Sequence, residues 1–377
     1  MVNPRQTSLR LLFTKSGTDV TEDVVPDLLS FTYEDQETGR ADGIRLLLKD
    51  ETGRWAGSWK PQGGEIIDAY LAAGDVTGQE REEIFCGRFY ADLLRVSGAP
   101  RTFELQAISI PLNQPIRRRL ITKAWESRTL KGIAQEIADS VGMQLFYDVQ
   151  EDPQYDRRDQ KQESNLSFLN RLCEDEGFSL KVTDDRIVIF DQASYEKKEP
   201  IKTIVLGESN VLSWSFESQQ SDTYKSCTVA WRDPRKKSRS SAGGYNLDLE
   251  KPGGDTPQYD ENLNRIERAQ RNPAVSYFTY MDPEIGEEGQ EYKLKKRATS
   301  KAEAERLARA TLRRLNLRKV TGCLTLIGDP ALLSGSVIEV RGFGSFDGRF
   351  IIQSASHDVS SSGYTTNLSL RRVNANY

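Results

Sequence analysis

The 377-residue chain has one histidine, four cysteines and three methionines, and it lacks the run of about 18 apolar residues that a membrane helix needs. Each scarcity removes a class of function. With one histidine and no Cys-x-x-Cys spacing, the usual zinc ligand sets cannot be assembled. Cys86, Cys173, Cys227 and Cys323 stand far apart in apolar patterns, and are expected to be buried free thiols of a protein made in a reducing cytoplasm. The opening residues MVNPRQTSLRLLF carry neither a long apolar core nor a small-residue cleavage pattern, so no secretory signal is expected. Positive charge is not in excess either: 52 Lys and Arg face 56 Asp and Glu, for a formal net charge of −4. That balance argues against nucleic-acid binding, which rests mainly on cations neutralising phosphates.

Catalytic constellations are equally sparse. His357 lies between Ser356 and Asp358, but adjacent strand residues point to opposite faces, so the three cannot converge as a triad; a structural histidine is expected. Gly342, Gly344 and Gly348 have the wrong spacing for a dinucleotide loop and precede a strand rather than a helix, leaving no helix N-terminus for a pyrophosphate. Glu80, Glu82, Glu83, Glu284, Glu287 and Glu288 sit in polar segments with no burial signal that would raise a carboxyl pKa. The basic cluster Arg235 to Arg239 reads as a solvated loop. No catalytic, cofactor-binding or metal-ligating residue is assigned, and no cofactor is expected.

What the sequence does contain is an echo of itself. Residues 84–107 (IFCGRFYADLLRVSGAPRTFELQA) and 345–372 (SFDGRFIIQSASHDVSSSGYTTNLSLRR) share a Phe two residues before Gly-Arg-Phe: Phe85, Gly87, Arg88, Phe89 and Phe346, Gly348, Arg349, Phe350. Each motif leads into an alternating run, a Ser/Gly turn and another alternating run, the pattern of a hairpin with one buried face. Residues 27–50 and 210–233 also align without a gap, sharing Leu29/Leu212, Ser30/Ser213, Glu34/Glu217, Gln36/Gln219 and Asp50/Asp233, where roughly one or two identities are expected by chance. Apolar positions agree as well: Phe31 with Trp214, Tyr33 with Phe216, Leu46 with Val229 and Leu48 with Trp231. One small antiparallel β-barrel is therefore expected twice in the chain.

A hydrophobic share of 37% against 29% charged residues describes a polar globular chain, long enough for several domains. The fold class expected is mainly β with α+β: two tube-like antiparallel β-barrel domains plus a small α+β module. Residues 1–115 form the first barrel, with strands at 8–14, 27–34, 43–49, 65–72, 82–96 and 101–110. Residues 116–199 form the module, whose helices are marked by Leu130, Ile133, Ile137 and Gly142, and by the cap Ser164, Leu169, Leu172 and Gly177. The second barrel comprises 200–233 and 300–377, interrupted by a polar insertion at 234–299 with short strands near 275–280 and 291–295. A capping box at Ser300 and Glu303 opens a helix. Its apolar stripe, Ala304, Leu307, Ala308, Thr311, Leu312 and Leu315, is expected to lie across the second barrel, with Arg306, Arg309, Arg313 and Arg314 in water.

Taken together, the capped Ala/Arg/Leu helix, the stretch TGCLTLIGDPALLSGSVIEVRGFGSFDGRF, the His357 strand and the SSGYTTNLSLRR ending resemble the phage late control D family of contractile-tail baseplate hub proteins. RTLKGIAQEIADSVGM and QKQESNLSFLNRLCEDEGFSLKVTDDRIVIF in the middle module are similar to the same family. The resemblance extends to the hub portion of type VI secretion spike proteins; it is weaker over the first barrel and hardly covers 234–299. It implies a structural hub, not an enzyme: a homotrimer whose doubled barrels make a pseudo-sixfold ring between a sixfold tail tube and a threefold spike. Its implied partners are a spike protein, a tail tube protein or tube initiator, a tape-measure protein and neighbouring baseplate proteins. The implied location is the tail baseplate of a virion, or a bacteriocin or other injection particle, assembled in the bacterial cytoplasm. The alternative is a tail-associated protein in which 116–199 binds or degrades a cell-wall polymer.

Overall fold

The computed structural model describes residues 6–13, 18–19, 21–39, 41–61, 64–74, 82–110, 115–219, 221, 223–232, 275–282, 285 and 289–374. The chain divides into two compact units, one formed by 1–223 with 313–377 and the other by 224–312.

In the first unit, β1 (Gln6–Phe13), β2 (Thr18–Asp19) and the short α1 (Thr21–Val24) lead into β3 (Leu28–Gln36), β4 (Gly43–Lys49), β5 (Ile66–Gly74), β6 (Glu82–Ser97) and β7 (Thr102–Ile108). Alternation decides which face is buried. Phe31 and Tyr33 on β3 and Ile44, Leu46 and Leu48 on β4 point inward, where they meet Leu11, Ile67, Leu71, Phe89, Phe103 and Leu105. Neighbouring Thr32, Glu34, Arg45 and Leu47 face away from that core. A core this size, at roughly 1.5–3 kcal/mol per buried large side chain, is the main force holding the half together.

The middle of the chain changes period. After α2 (Pro115–Arg118) and β8 (Leu120–Thr129), α3 (Leu130–Val141) starts at Thr129, whose hydroxyl accepts the Gly132 N–H at 3.1 Å, and stops at Gly142 in the left-handed region, φ 69°. Then come β9 (Gln144–Asp148), β10 (Gln154–Ser164), α4 (Asn165–Glu176), β11 (Ser179–Val182), β12 (Arg186–Phe190) and α5 (Gln192–Glu196). Ser164 caps α4 through the Ser167 N–H at 3.2 Å, as expected from the sequence. The polar stretch before Ser164 is strand β10, paired to β8. Cross-strand charge rather than apolar alternation marks that ribbon, with Arg157 3.1 Å from Glu126. Ile133, Ile137, Phe168, Leu172, Ile187 and Trp125 form the module's core.

The first unit resumes with β13 (Lys202–Val205) and β14 (Val211–Ser218). The second unit follows: β15 (Tyr224–Arg232) pairs with β16 (Val275–Met281) and β17 (Gln290–Ala298), and α6 (Lys301–Asn316) begins after them. Back in the first unit, β18 (Val320–Ile327), β19 (Val337–Arg341), β20 (Gly348–Ser360) and β21 (Gly363–Arg372) complete the chain.

Strands β1–β7, β13, β14 and β18–β21 form a single 13-stranded sheet. Apart from the two-residue β2, which pairs with β1, its first half is ordered β1-β5-β6-β7-β4-β3 and its second half β13-β19-β20-β21-β18-β14. Renumbered from the start of each half, both orders are the same: first, fourth, fifth, sixth, third, second strand. The path of paired strands does not return on itself among the described residues, so the halves are open six-stranded sheets rather than closed barrels.

Several expectations change. Residues 226–232 are not the counterpart of β4: Val229 and Trp231 lie on β15, in the small sheet with β16 and β17, and the strand in the β4 position is β18. The stripe on α6 packs with that small sheet, in a core of Cys227, Val229, Ala298, Ala304, Leu307, Ala308 and Leu312. Arg313 is not in water but buried, with its guanidinium 2.6 Å from Glu196. Cys86, Cys173 and Cys227 are buried and free, but Cys323 is exposed. Glu80, Glu284, Glu287, Glu288 and the cluster Arg235 to Arg239 lie outside the described residues. Among the described residues no helix is long and apolar enough to cross a membrane, and no group of three or more His, Cys, Asp or Glu side chains is placed to hold a metal.

Candidate functional site

The repeated motifs land at matching places in the two halves. Gly87 and Gly348 have φ of 132° and 134°, a conformation that only glycine adopts without strain. Phe89 and Phe350, two residues later, are both fully buried. Arg88 forks onto Asp68 of β5 at 2.8 and 2.9 Å; Arg349 instead donates to the main-chain carbonyls of Glu196 and Lys198. Bulges match as well. The β6–β7 ladder slips between Ala91 and Leu93, and the β20–β21 ladder between Ile352 and Ser354. The β3–β4 ladder slips between Leu28 and Ser30, and the β14–β18 ladder between Val211 and Ser213. Bulges fix register and twist, so these coincidences make β6 equivalent to β20, and β3 to β14, residue by residue.

The halves meet where the C-terminal part of β20 pairs antiparallel with β3: Ser354 opposite Gln36, Ser356 opposite Glu34, His357 opposite Tyr33, Asp358 opposite Thr32. This joint is built on both faces. Inside, His357 is fully buried, stacked on Tyr33 at 5.8 Å between ring centres, with Nδ1 2.7 Å from the Tyr364 hydroxyl. Burial holds the imidazole below its usual pKa, against the pull of the Asp35, Asp329 and Asp358 charges. On the other face Asp358 accepts from Thr32 at 2.6 Å, Asn367 at 2.8 Å and Ser356 at 3.0 Å. Ser356 and Asp358 therefore share a face that His357 does not, and no triad forms.

Buried charge closes the end of the joint at Gln36 and Ser354. Lys181 from the middle module lies 2.9 Å from Asp35 and 3.0 Å from Asp42, while Asp35 also accepts the Ser334 N–H at 2.7 Å. Burial, with the nearby Asp35 charge, pushes the Asp42 carboxyl up to about 6 although Lys181 opposes the shift. A second cluster joins Glu37, Glu196, Arg313 and Arg371: Arg313 lies 2.6 Å from Glu196, Arg371 donates to the same oxygen and lies 3.4 Å from Glu37, and Gln192 donates to Glu37 at 2.9 Å. Two carboxylates against two guanidiniums leave the cluster neutral, the condition for burying such groups. Sequence reading missed both clusters because charge in a strand looks the same whether it faces water or a partner. A cleft of about 550 Å³ opens near Ile108, Leu180, Asp92 and Arg117; no histidine or cysteine lines it.

What the joint covers, its counterpart leaves open. Phe31 on β3 is 0% exposed, but Trp214, the equivalent residue on β14, is 49% exposed. His357 on β20 is 0% exposed, whereas Val96, its equivalent on β6, is 48% exposed. Among the described residues the sheet thus has a filled internal joint and matching outer edges whose equivalent side chains are exposed.

Comparison with known proteins gives the class. Residues 116–363 match the family described as phage tail baseplate hub (GPD), and the chain belongs to that family. It is 22% identical to the probable baseplate hub protein of Escherichia phage 186 over 95% of this chain and 92% of that protein. In fold it is similar to the prophage MuSo2 43 kDa tail protein from Shewanella oneidensis, with a TM-score of 0.68 at 14% identity, covering 98% of this chain and 99% of that one. It is also similar to a chain of the Francisella PdpA-VgrG complex, with a TM-score of 0.54 at 9% identity, covering 98% of this chain and 59% of that chain. The chain thus shares its fold with a prophage tail protein and with a chain of a PdpA-VgrG complex.

Proposed function

We propose that this baseplate hub works as a homotrimer, in which three chains bring six similar half-sheets into a pseudo-sixfold ring joining a sixfold tail tube to a threefold central spike. The observation that carries the reading is the duplication: two halves with one strand order, matching bulges and matching glycines, linked by strand pairing. A chain holding two copies of one unit converts threefold into near-sixfold symmetry, and closure of the ring prevents open-ended growth. Flanked by neighbours on both sides, each open half-sheet becomes a stave of a tube-like barrel wall.

The role is architectural, without catalysis. Its partners are a spike protein on one face, a tail tube protein or tube initiator on the other, a tape-measure protein in the lumen, and adjacent baseplate proteins around the rim; assembly takes place in the bacterial cytoplasm. A trimer mass in multi-angle light scattering, and capture by the spike protein encoded with it, are the expected results. A chain that stays monomeric at micromolar concentration, alone and with that spike, contradicts the proposal.

A further inference from the structure

We infer that the joint seen inside the chain is repeated between chains: the outer edge of β14 in one copy pairs antiparallel with residues 93–97 of β6 in the next. This inference rests on the ring proposed above, but it names the seam and its register. Four observations support it.

First, both edges are open in the strand plan. Among the described residues β14 ends the sheet, with β18 on its only paired side, and β6 pairs with β7 over residues 90–97 while its pairing to β5 stops at Tyr90. Second, each open edge is the counterpart of an edge filled within the chain, because β20 is equivalent to β6 and β3 to β14, and β20 pairs with β3. Third, the side chains that the internal joint buries are the ones left exposed here, Trp214 and Val96 above all. Fourth, the register carried over from the internal joint makes chemical sense. Ser354 opposite Gln36 becomes Leu93 opposite Gln219, and His357 opposite Tyr33 becomes Val96 opposite Phe216. Ser356 opposite Glu34 becomes Arg95 opposite Glu217, an oppositely charged cross-strand pair.

Arg95 has room for the new partner. Among the described residues it reaches Glu104 at 3.4 Å, and its side chain is 58% exposed. Glu217 accepts one hydrogen bond, from Thr321 at 2.9 Å, on an exposed strand. An uncovered edge with apolar side chains is otherwise an aggregation liability. The occupant that suits it is a second copy of this chain, because the same chain already supplies the matching edge to itself. The seam is heterologous, front edge to back edge, the type that generates rings when its rotation closes.

The test is a charge exchange combined with cross-linking. Arg95→Glu and Glu217→Arg are each expected to weaken self-association by roughly tenfold or more, while the isolated chain keeps a cooperative thermal unfolding transition despite losing the Arg95–Glu104 or Thr321–Glu217 contact. The double variant, Arg95→Glu with Glu217→Arg, is expected to restore it. In a Cys323→Ser background, needed because Cys323 sits opposite Ser215, chains carrying Ser97→Cys and Ser215→Cys together should oxidise to covalent species ending at trimer. Mixed single variants should give covalent pairs only across the two types. Trimers that form without this cross-link, and without charge rescue, would overturn the seam while leaving the hub reading intact. A chain that never associates, even with its spike, removes both.

Discussion

The first and second halves share strand order, bulges and a left-handed glycine, yet their first strands pair in opposite senses, β1 antiparallel to β5 but β13 parallel to β19, and two further differences are more informative than the likeness. β3 turns directly into β4 in the first half, whereas β14 and β18 are separated by the whole 224–312 unit. An insertion of that size is tolerated because it enters at a loop between two strands that still pair, and closing a longer loop adds only slowly to the entropic cost. The other difference is at the edges. β20 and β3 bury each other, while β6 and β14 hold the same positions uncovered. Equivalent residues thus have opposite energetic roles, and this can be measured.

The largest effects are expected where the joint is filled. Phe31→Ala should destabilise the folded chain by about 3–5 kcal/mol, whereas its counterpart Trp214→Ala should cost about 1 kcal/mol or less in the monomer; chemical denaturation of both variants checks this. Equal costs would break the comparison. Lys181→Met leaves Asp35 and Asp42 buried without their cation and is expected to cost roughly 3–5 kcal/mol, again by denaturation. Next come Gly87→Ala and Gly348→Ala. Both place a side chain at φ above 130°, so each should cost about 1–3 kcal/mol, and melting temperatures that fall in only one of the two would undo the equivalence of the motifs.

The smallest effect is a titration. Asp42 has a folded-state pKa of about 6, above the value near 4 of an unfolded aspartate. Its contribution to stability is therefore fully present below about pH 4 and is lost as pH rises through about 6. His357 runs the other way. Its pKa is lowered in the fold, so its contribution is present above about pH 6.5 and is lost as pH falls through the folded value. Comparing Asp42→Asn with wild type between pH 7 and pH 5 should show a stability difference that changes by about 1 kcal/mol per pH unit. A difference independent of pH would mean that Asp42 titrates normally.

Much of this architecture was legible in the sequence, because alternation and turn chemistry are local. The β3/β14 alignment was right through Gln36 and Gln219, and the Gly-Arg-Phe motifs mark equivalent strands. The alignment failed past the loop after β3, where Leu46 and Leu48 correspond to Leu324 and Leu326 rather than to Val229 and Trp231. An insertion that itself begins with an alternating strand hides its own start. The periodicity of Leu130 to Gly142 and the Ser164 cap gave both long module helices. Arg313 and Cys323 were misjudged for one shared reason: exposure on a strand or helix face depends on which element lies opposite, and a pattern of letters does not carry that information. The joint's buried ion pairs escaped notice because their members come from four distant stretches of the chain.

Hydrogen exchange on the assembled protein tests the central claim most directly. The amides of residues 93–97 and 213–217 that are not bonded to β7 or β18 should be protected to the same degree as their counterparts in 354–358 and 30–34, and should exchange rapidly once dilution separates the chains. Fast exchange at both edges in the intact assembly would contradict the account, since the seam between chains would then not repeat the joint within one.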